Sequence, residues 1–506
     1  MPPDDPILLT AAEAVAVPAL LAELRELRRT VAAEGRATFR TWRPFIRRPG
    51  FAAAALNLAH YLALRRRDLR GVQRALMRYG LSSLGRLESR VLVTLDAVAD
   101  ALAAAEGERV APGRWPPAPR RFFRGETVLR QNAEALFRPG PASHGVSILV
   151  TLPSEAADDP GFVLRLVRCG TDAVRINCAH DDAAVWSAMI ANTRQAGAAV
   201  GRHIPVLMDI AGPKIRTGDV HRPDDATRLM AGRALLLVPD AALLDAPGPH
   251  AFRAVCNPPG ILERLAPGAE MALDDGKLGG TVEACLPDGS VLVRVTRTRL
   301  KGVKLRPEKG LNFPGTELGL HPLTDRDLSD LDFVARHADL IGYSFVQRGS
   351  DVEQLQAALA ARRPDDWTRI GLIAKIETLA AVRHLPEIIV RAAGRQPFGV
   401  MIARGDLAVE IGFARLAEMQ EQILWICEAA QVPVVWATQV LEEMVKSGLP
   451  TRGEMTDAAM AGRAECVMLN KGPNVCDAIT ALDALLARMA EHQLKKTAQL
   501  RALRSW

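Results

Sequence analysis

The sequence predicts an α/β fold. A (β/α)8 TIM barrel carries an inserted small β-barrel lid domain and is preceded by an all-α N-terminal domain. Three observations predict it. From Val146 onward, eight short apolar runs alternate with helical patterns. The last five begin 31, 28, 34 and 33 residues apart, as repeated strand–helix units require. About 130 residues separate the third run from the fourth, too many for one connecting helix, and Gly, Pro and Asp divide residues 218–310 of that gap into strand-like pieces.

Taken in order, residues 8–106 read as helical, with Leu20, Leu24 and Leu27 at helical spacing and Leu21 widening the same face. Gly80-Leu81-Ser82-Ser83 reads as a helix stop and a new cap, with Glu88 and Arg90 in the helix that follows. Pro112-Gly113 and Pro116-Pro117-Ala118-Pro119 put a domain boundary within 110–143, with a short helix at 126–137. The barrel strands are expected at Val146–Leu152, Ala173–Ile176, Val206–Asp209, Leu340–Ser344, Gly371–Ile376, Gly399–Ala403, Pro433–Ala437 and Cys466–Leu469. Within the insertion, strands are expected at Leu235–Val238, Met271–Leu273, Gly280–Ala284 and Val291–Val295. A last helix covers 477–490. The domains are therefore expected at 1–140 (helical), 141–217 with 311–506 (barrel) and 218–310 (lid).

Composition narrows the function classes. With 48% apolar and 24% charged residues the chain is globular, and 5% aromatics is too few for a base-stacking platform. No apolar run reaches membrane-spanning length, and no signal peptide is expected, since Met1-Pro2-Pro3-Asp4-Asp5 lacks a basic n-region followed by an apolar stretch. Seven scattered cysteines without a CxxC pair suggest a reducing compartment and no cysteine zinc site. A cytoplasmic homo-oligomer without membrane or nucleic-acid partners is expected. The net charge of +6 is uneven: residues 1–140 hold 23 Arg against 14 acids, and residues 36–90 hold 13 Arg against two. That stretch suits an acidic partner, RNA, contacts with the barrel in an oligomer, or a solvated helix face. Only ten of the 64 basic residues are Lys, none before Lys214, so each lysine is informative.

In such barrels the C-terminal strand ends form the active face. There the sequence places Arg175 and Asn177, Asp209, Ser344, Lys375 and Glu377, Arg404 and Asp406, then Thr438 and Gln439. Glu377 and Asp406 are hard oxygen ligands from adjacent strands, suited to one Mg2+ or Mn2+. Glu377 alone could equally compensate a helix N-terminus. Lys375, two residues before Glu377, would bring an ammonium beside the metal, a pairing suited to a phosphoryl group or an enolate.

Six segments resemble those of the pyruvate kinase family, in family order: Arg175-Ile176-Asn177-Cys178-Ala179-His180, Asp209-Ile210-Ala211-Gly212-Pro213-Lys214-Ile215-Arg216-Thr217-Gly218, Ile373-Ala374-Lys375-Ile376-Glu377, Met401-Ile402-Ala403-Arg404-Gly405-Asp406-Leu407, Ala437-Thr438-Gln439-Val440-Leu441-Glu442 and Pro450-Thr451-Arg452. The resemblance spans about 145–490 and puts a lid domain where the insertion lies. It implies transfer of the phosphoryl group of phosphoenolpyruvate to ADP, giving ATP and pyruvate. By the same resemblance, Glu377 and Asp406 would ligate Mg2+, Lys375 would steady the phosphoryl group and the enolate oxygen, and Arg175 would contact the phosphate. Gly405, Asp406 and Thr438 would hold the carboxylate and enolate. Asn177, His180, Arg216 and Lys309 would face the nucleotide. No GxxxxGK[ST] loop occurs.

The chain departs from the family pattern in several places. Ala179 stands where a serine usually serves K+, and Lys214 stands where a glutamate usually follows Gly-Pro, so a fixed ammonium would replace K+ and turnover would not need that ion. Strand eight reads Met468-Leu469-Asn470-Lys471-Gly472-Pro473, without the serine and glutamate associated with enolate protonation. Ala211 replaces a lysine, and no counterpart of the family's C-terminal effector domain is expected. Two other readings are a catalytically weak phosphoenolpyruvate-binding regulator and a Mg2+-dependent lyase or aldolase on a related barrel. The lid and Arg216 favour the kinase over the lyase.

Overall fold

Each predicted barrel run becomes a strand buried along most of its length. They are β1 (Ser147–Thr151), β2 (Ala173–Asn177) and β3 (Val206–Ile210), then, after the insertion, β11 (Leu340–Tyr343), β12 (Gly371–Ile376), β13 (Phe398–Ala403), β14 (Val434–Ala437) and β15 (Cys466–Leu469). All pair in parallel and close in the order β1-β15-β14-β13-β12-β11-β3-β2. The computed structural model describes residues 16–137, 144–223, 226–245, 252–495 and 497–498. The first five residues, positions 8–15 of the predicted helix and 138–143 of the predicted boundary lie outside these described residues.

Between β3 and β11 lies a second sheet of β4 (Arg216–His221), β5 (Ala234–Val238), β6 (Phe252–Asn257), β7 (Glu270–Leu273), β8 (Leu278–Cys285), β9 (Val291–Thr298) and β10 (Leu311–Asn312), in the order β10-β7-β8-β9-β5-β6-β4. An antiparallel bridge between Arg216 and Gly310 joins its two edges into a barrel. β4 and β6 are absent from the sequence reading because charged and polar residues interrupt their apolar pattern. The insertion has its own apolar core around Leu235, Phe252, Val293 and Leu305.

The N-terminal region is helical in pieces. Prolines 44 and 49 fall between the helices Val17–Trp42 and Ala52–Arg65, which pack with Val91–Ala105. The predicted cap near Ser83 does not form: Ser82 makes no capping bond, and Ser83–Arg86 and Glu88–Arg90 are 3-10 turns before the helix at Val91. The basic stretch partly faces the chain's own barrel. Arg47 and Arg48 backbone amides donate to the Gly394 carbonyl at 2.8 Å, and the Arg65 guanidinium lies 4.7 Å over the Trp425 ring. Among the described residues no helix is long and apolar enough to cross a membrane.

The helix Arg124–Phe137 closes the barrel floor. Leu136 and Phe137 join the inward layer formed by Leu149, Leu207, Ile373, Met401 and Val435. Gly371 and Gly399 make room for them, since a Cβ on either would stand 2.9 and 3.2 Å from Leu136. Phe137 is fully buried. Phe137→Ala is therefore expected to cost about 3–5 kcal/mol, read as a lower urea midpoint at unchanged m-value.

His60 is buried against Gly35 with its Nε2 unpartnered, and burial, then Arg36 and Arg28, push its pKa from 6.5 to about 4. The unfolded chain therefore binds a proton that the folded one refuses. Stability is full above pH 6.5, falls as pH drops toward about 4, and levels off below that. Urea unfolding at pH 7.5 and pH 5 checks this: His60→Leu is expected to flatten the difference.

Candidate active site

The strand ends on the active face carry a closed charge network. The Arg175 Nε and Nη2 donate to Asp209 Oδ2 at 2.8 and 2.6 Å, and its Nη1 donates to Thr151 Oγ1 at 3.2 Å. The Lys375 ammonium donates to Ser344 Oγ at 2.8 Å and lies 3.3 Å from Asp209 Oδ2 and 3.1 Å from Glu377 Oε1. The other Glu377 oxygen accepts the Phe345 amide at 2.5 Å. Strand direction explains the convergence: β2, β3 and β12 are parallel, and their last residues emerge on one side of the barrel.

Electrostatics keeps Asp209 and Lys375 ionised despite their burial. Burial alone would push Asp209 up, but Lys375 and Arg175 outweigh it and hold the carboxyl below its usual range. Burial would lower Lys375, and Asp209 with Glu377 raise it instead. Glu377 is pushed up by burial; Lys375 opposes this, and the nearby Asp406 charge adds to it.

Lys214 reaches this network from the loop after β3. Its Nζ donates to Asp406 Oδ1 at 2.9 Å. The other Asp406 oxygen accepts no hydrogen bond among the described residues. Three cations (Arg175, Lys214, Lys375) thus face three carboxylates (Asp209, Glu377, Asp406).

Beside them, the Gly405 amide donates to Thr438 Oγ1 at 2.9 Å. Thr438 and Gln439 take φ of 66° and 58°, and Leu441 takes 46° after Val440; the left-handed conformation is costly for a β-branched threonine. Arg404 holds the turn: it donates to the Ala437 and Thr438 carbonyls and to Asp457 Oδ1, and it lies 5.0 Å over the Trp436 ring.

The four residues expected at the nucleotide are not bonded to this network. Asn177 Oδ1 accepts the Ala179 amide at 3.2 Å. The His180 ring is held below its usual pKa by burial and then by Lys471, which places the strand-eight lysine's charge near it. On the second sheet, Arg216 donates to the Glu308 carbonyl at 3.2 Å, and Lys309 lies 3.3 Å from Asp274 Oδ1. The sheet is closed down on the barrel: a Cβ on Gly276 would stand 3.7 Å from Val409, and one on Gly310 3.3 Å from Lys214. Gly472 has no room for a side chain, since a Cβ there would lie 2.4 Å from Val445 Cγ1.

Asp209 and Ser344, strand-end residues to which the sequence assigns no role, stand at the centre of the network. The available signal was an acid inside the otherwise apolar run Val206-Leu207-Met208-Asp209-Ile210.

The family model of the pyruvate kinase barrel domain matches residues 143–474. The chain belongs to the pyruvate kinase family. It is 30% identical to a pyruvate kinase of Dictyostelium discoideum over 68% of this chain and 65% of that protein. It is 33% identical to one of Geobacillus stearothermophilus over 66% and 51%, and 31% identical to human pyruvate kinase PKLR over 69% and 60%. The chain thus spans about half to two thirds of the length of these pyruvate kinases. Helices before residue 138 precede the matched span.

Proposed function

We propose that this site transfers the phosphoryl group of phosphoenolpyruvate to ADP, with Mg2+ or Mn2+ held by Glu377 and Asp406 and without a requirement for K+. The carrying observation is the balanced network of three cations and three carboxylates, with Lys375 touching both Asp209 and Glu377. Two features of the donor set fit a divalent ion. Both ligands are hard oxygens, and the repulsion between Glu377 and Asp406 is one that a cation relieves. Among the described residues no group of three or more metal-binding side chains occurs, so substrate oxygens and water would complete the shell. When bound, the ion would supply charge that polarises the phosphoryl oxygens.

The chain's own residues do the rest. Arg175, preset by Asp209, binds the phosphate. The P–O bond to the enol oxygen breaks as a β-phosphate oxygen of ADP bonds to phosphorus, and the Lys375 ammonium faces the charge left on the enolate. The Gly405 amide and Thr438 orient the carboxylate. Asn177, His180, Arg216 and Lys309 face the nucleotide, the last two from the lid. Gly472 leaves no acid at its position, so the enolate takes its proton from water.

The test is pyruvate formation from phosphoenolpyruvate, ADP and Mg2+, followed by a coupled assay. Turnover abolished by a chelator is expected. Saturable phosphoenolpyruvate binding without pyruvate would overturn transfer and leave a regulatory homologue. Lys214 carries the second part of the proposal. Rates in K+ and in tetramethylammonium are expected to differ by less than about tenfold, roughly 1.4 kcal/mol of barrier. A larger K+ activation would remove Lys214 as the ion's substitute.

A further inference from the structure

The second sheet carries a concavity that the transfer reaction does not use in full. It has a volume of about 670 Å3 and is lined by seven cationic side chains against the single carboxylate of Asp274. Asp274 accounts for two of them, with Lys277 at 2.9 Å and Lys309 at 3.3 Å. Arg228 spends its donors on backbone, bonding the Lys301 and Gly302 carbonyls at 3.4 and 3.2 Å. Arg299, Lys301, Lys304 and Arg306 have no carboxylate partner among the described residues.

This wall is held by the fold. Val303 and Leu305 are buried in the sheet's core while Lys304 and Arg306 between and after them are exposed, so an extended backbone sends both cations to one outer face. The Leu229 and Val303 backbones bond reciprocally at 2.8 and 3.0 Å, and Gly302 turns the chain at φ 67° where a Cβ would strike Met230. The lysine bias agrees. Four of the ten lysines in an arginine-rich chain, Lys277, Lys301, Lys304 and Lys309, line this one concavity. A concavity of about 580 Å3 among the N-terminal helices shows the contrast. Four of its five arginines have a carboxylate partner, Arg25 with Glu108, Arg28 with Asp96, Arg29 with Glu26 and Arg114 with Asp100.

We propose that the lid concavity bounded by Arg299, Lys301, Lys304 and Arg306 binds a linear polyphosphate chain. Four uncompensated cations in a concave site repel one another and focus a positive potential that a multiply charged anion satisfies. No aromatic ring lines the site, so recognition is by phosphate charge and no base is stacked. The chain can be inorganic polyphosphate or the tail of a nucleoside triphosphate. The site needs no phosphoryl transfer at the barrel mouth.

The experiment is calorimetric titration of the full chain with inorganic tripolyphosphate at low and physiological salt. Saturable binding that weakens steeply with salt is expected, with orthophosphate binding far more weakly. The double variant Lys301→Gln/Lys304→Gln should lose about tenfold or more in affinity. Arg29→Gln/Arg121→Gln, in the helical concavity, should lose none. Thermal melts confirm that both variants fold, and phosphoenolpyruvate binding, read in parallel, should be the same in all three proteins. Displacement of tripolyphosphate by ATP, but not by AMP, would mark the triphosphate tail as a ligand. No displacement would leave inorganic polyphosphate. No saturable tripolyphosphate binding, equal binding of orthophosphate, or a lid variant that binds like the parent overturns the proposal.

Discussion

Lys375→Met is expected to lower pyruvate formation by about 10²–10³-fold or more, with phosphoenolpyruvate binding weakened far less. The methionine keeps the length and lets the side chain stay in its buried slot, so the loss falls on charge. The Lys375 ammonium touches Asp209, Ser344 and Glu377 together. Without it Glu377 faces Asp406 and Asp209 with no cation beside it, and burial drives it further toward the neutral acid, a poorer metal ligand. The enolate oxygen also loses the positive charge that would meet it. Both effects act on the reacting state more than on the ground state, so kcat should fall more than KM rises. A coupled assay with a separate measurement of phosphoenolpyruvate binding checks this. Activity within about tenfold of the parent would remove Lys375 from the reaction.

The barrel was legible in the sequence because each strand, buried on both faces, reads as a short apolar run, and strand–helix units recur at near-constant length. The predicted Gly371–Ile376 and Cys466–Leu469 are the observed strands. The second sheet was less legible. β4 (Arg216–His221) is amphipathic and pairs with β6 across a bulge, so its polar residues hide the pattern. The floor of the barrel was not legible at all: a helix ending in Leu136-Phe137 reads the same whether its tip is solvated or plugs a barrel, and the decisive space comes from Gly371 and Gly399, far away in sequence. The same limit explains the site. Segments could name Lys375, Glu377 and Asp406, but the pairing of Lys214 with Asp406 joins residues 192 apart. The basic stretch before residue 91 left several partners open, and tertiary packing turns part of it toward the chain's own barrel.

Asp209→Asn should be the most destabilising conservative change in the site. Asp209 is buried and accepts from Arg175 twice through one oxygen, with Lys375 at 3.3 Å. Asparagine keeps the shape and removes the charge that two partly buried cations share. Lys375 keeps Glu377 at 3.1 Å, but leaving the Arg175 guanidinium without its carboxylate costs about 3–5 kcal/mol. The effect separates from simple packing loss through a double-mutant cycle. Arg175→Met alone strands the Asp209 carboxylate, and Asp209→Asn alone strands the Arg175 guanidinium. Arg175→Met with Asp209→Asn leaves neither, so the double variant should cost clearly less than the sum of the singles, by roughly 0.5–3 kcal/mol in urea unfolding. Function should follow the same logic. With its anchor gone, Arg175 no longer holds one orientation, and the KM for phosphoenolpyruvate should rise about tenfold or more, since a positioned guanidinium loses less entropy on binding than a free one. Additive stability losses, or an unchanged KM, would mean that Asp209 merely fills space between β3 and its neighbours. A coupled loss would mean that Arg175 and Lys375 are set by one carboxylate, and that the six charges act as a unit.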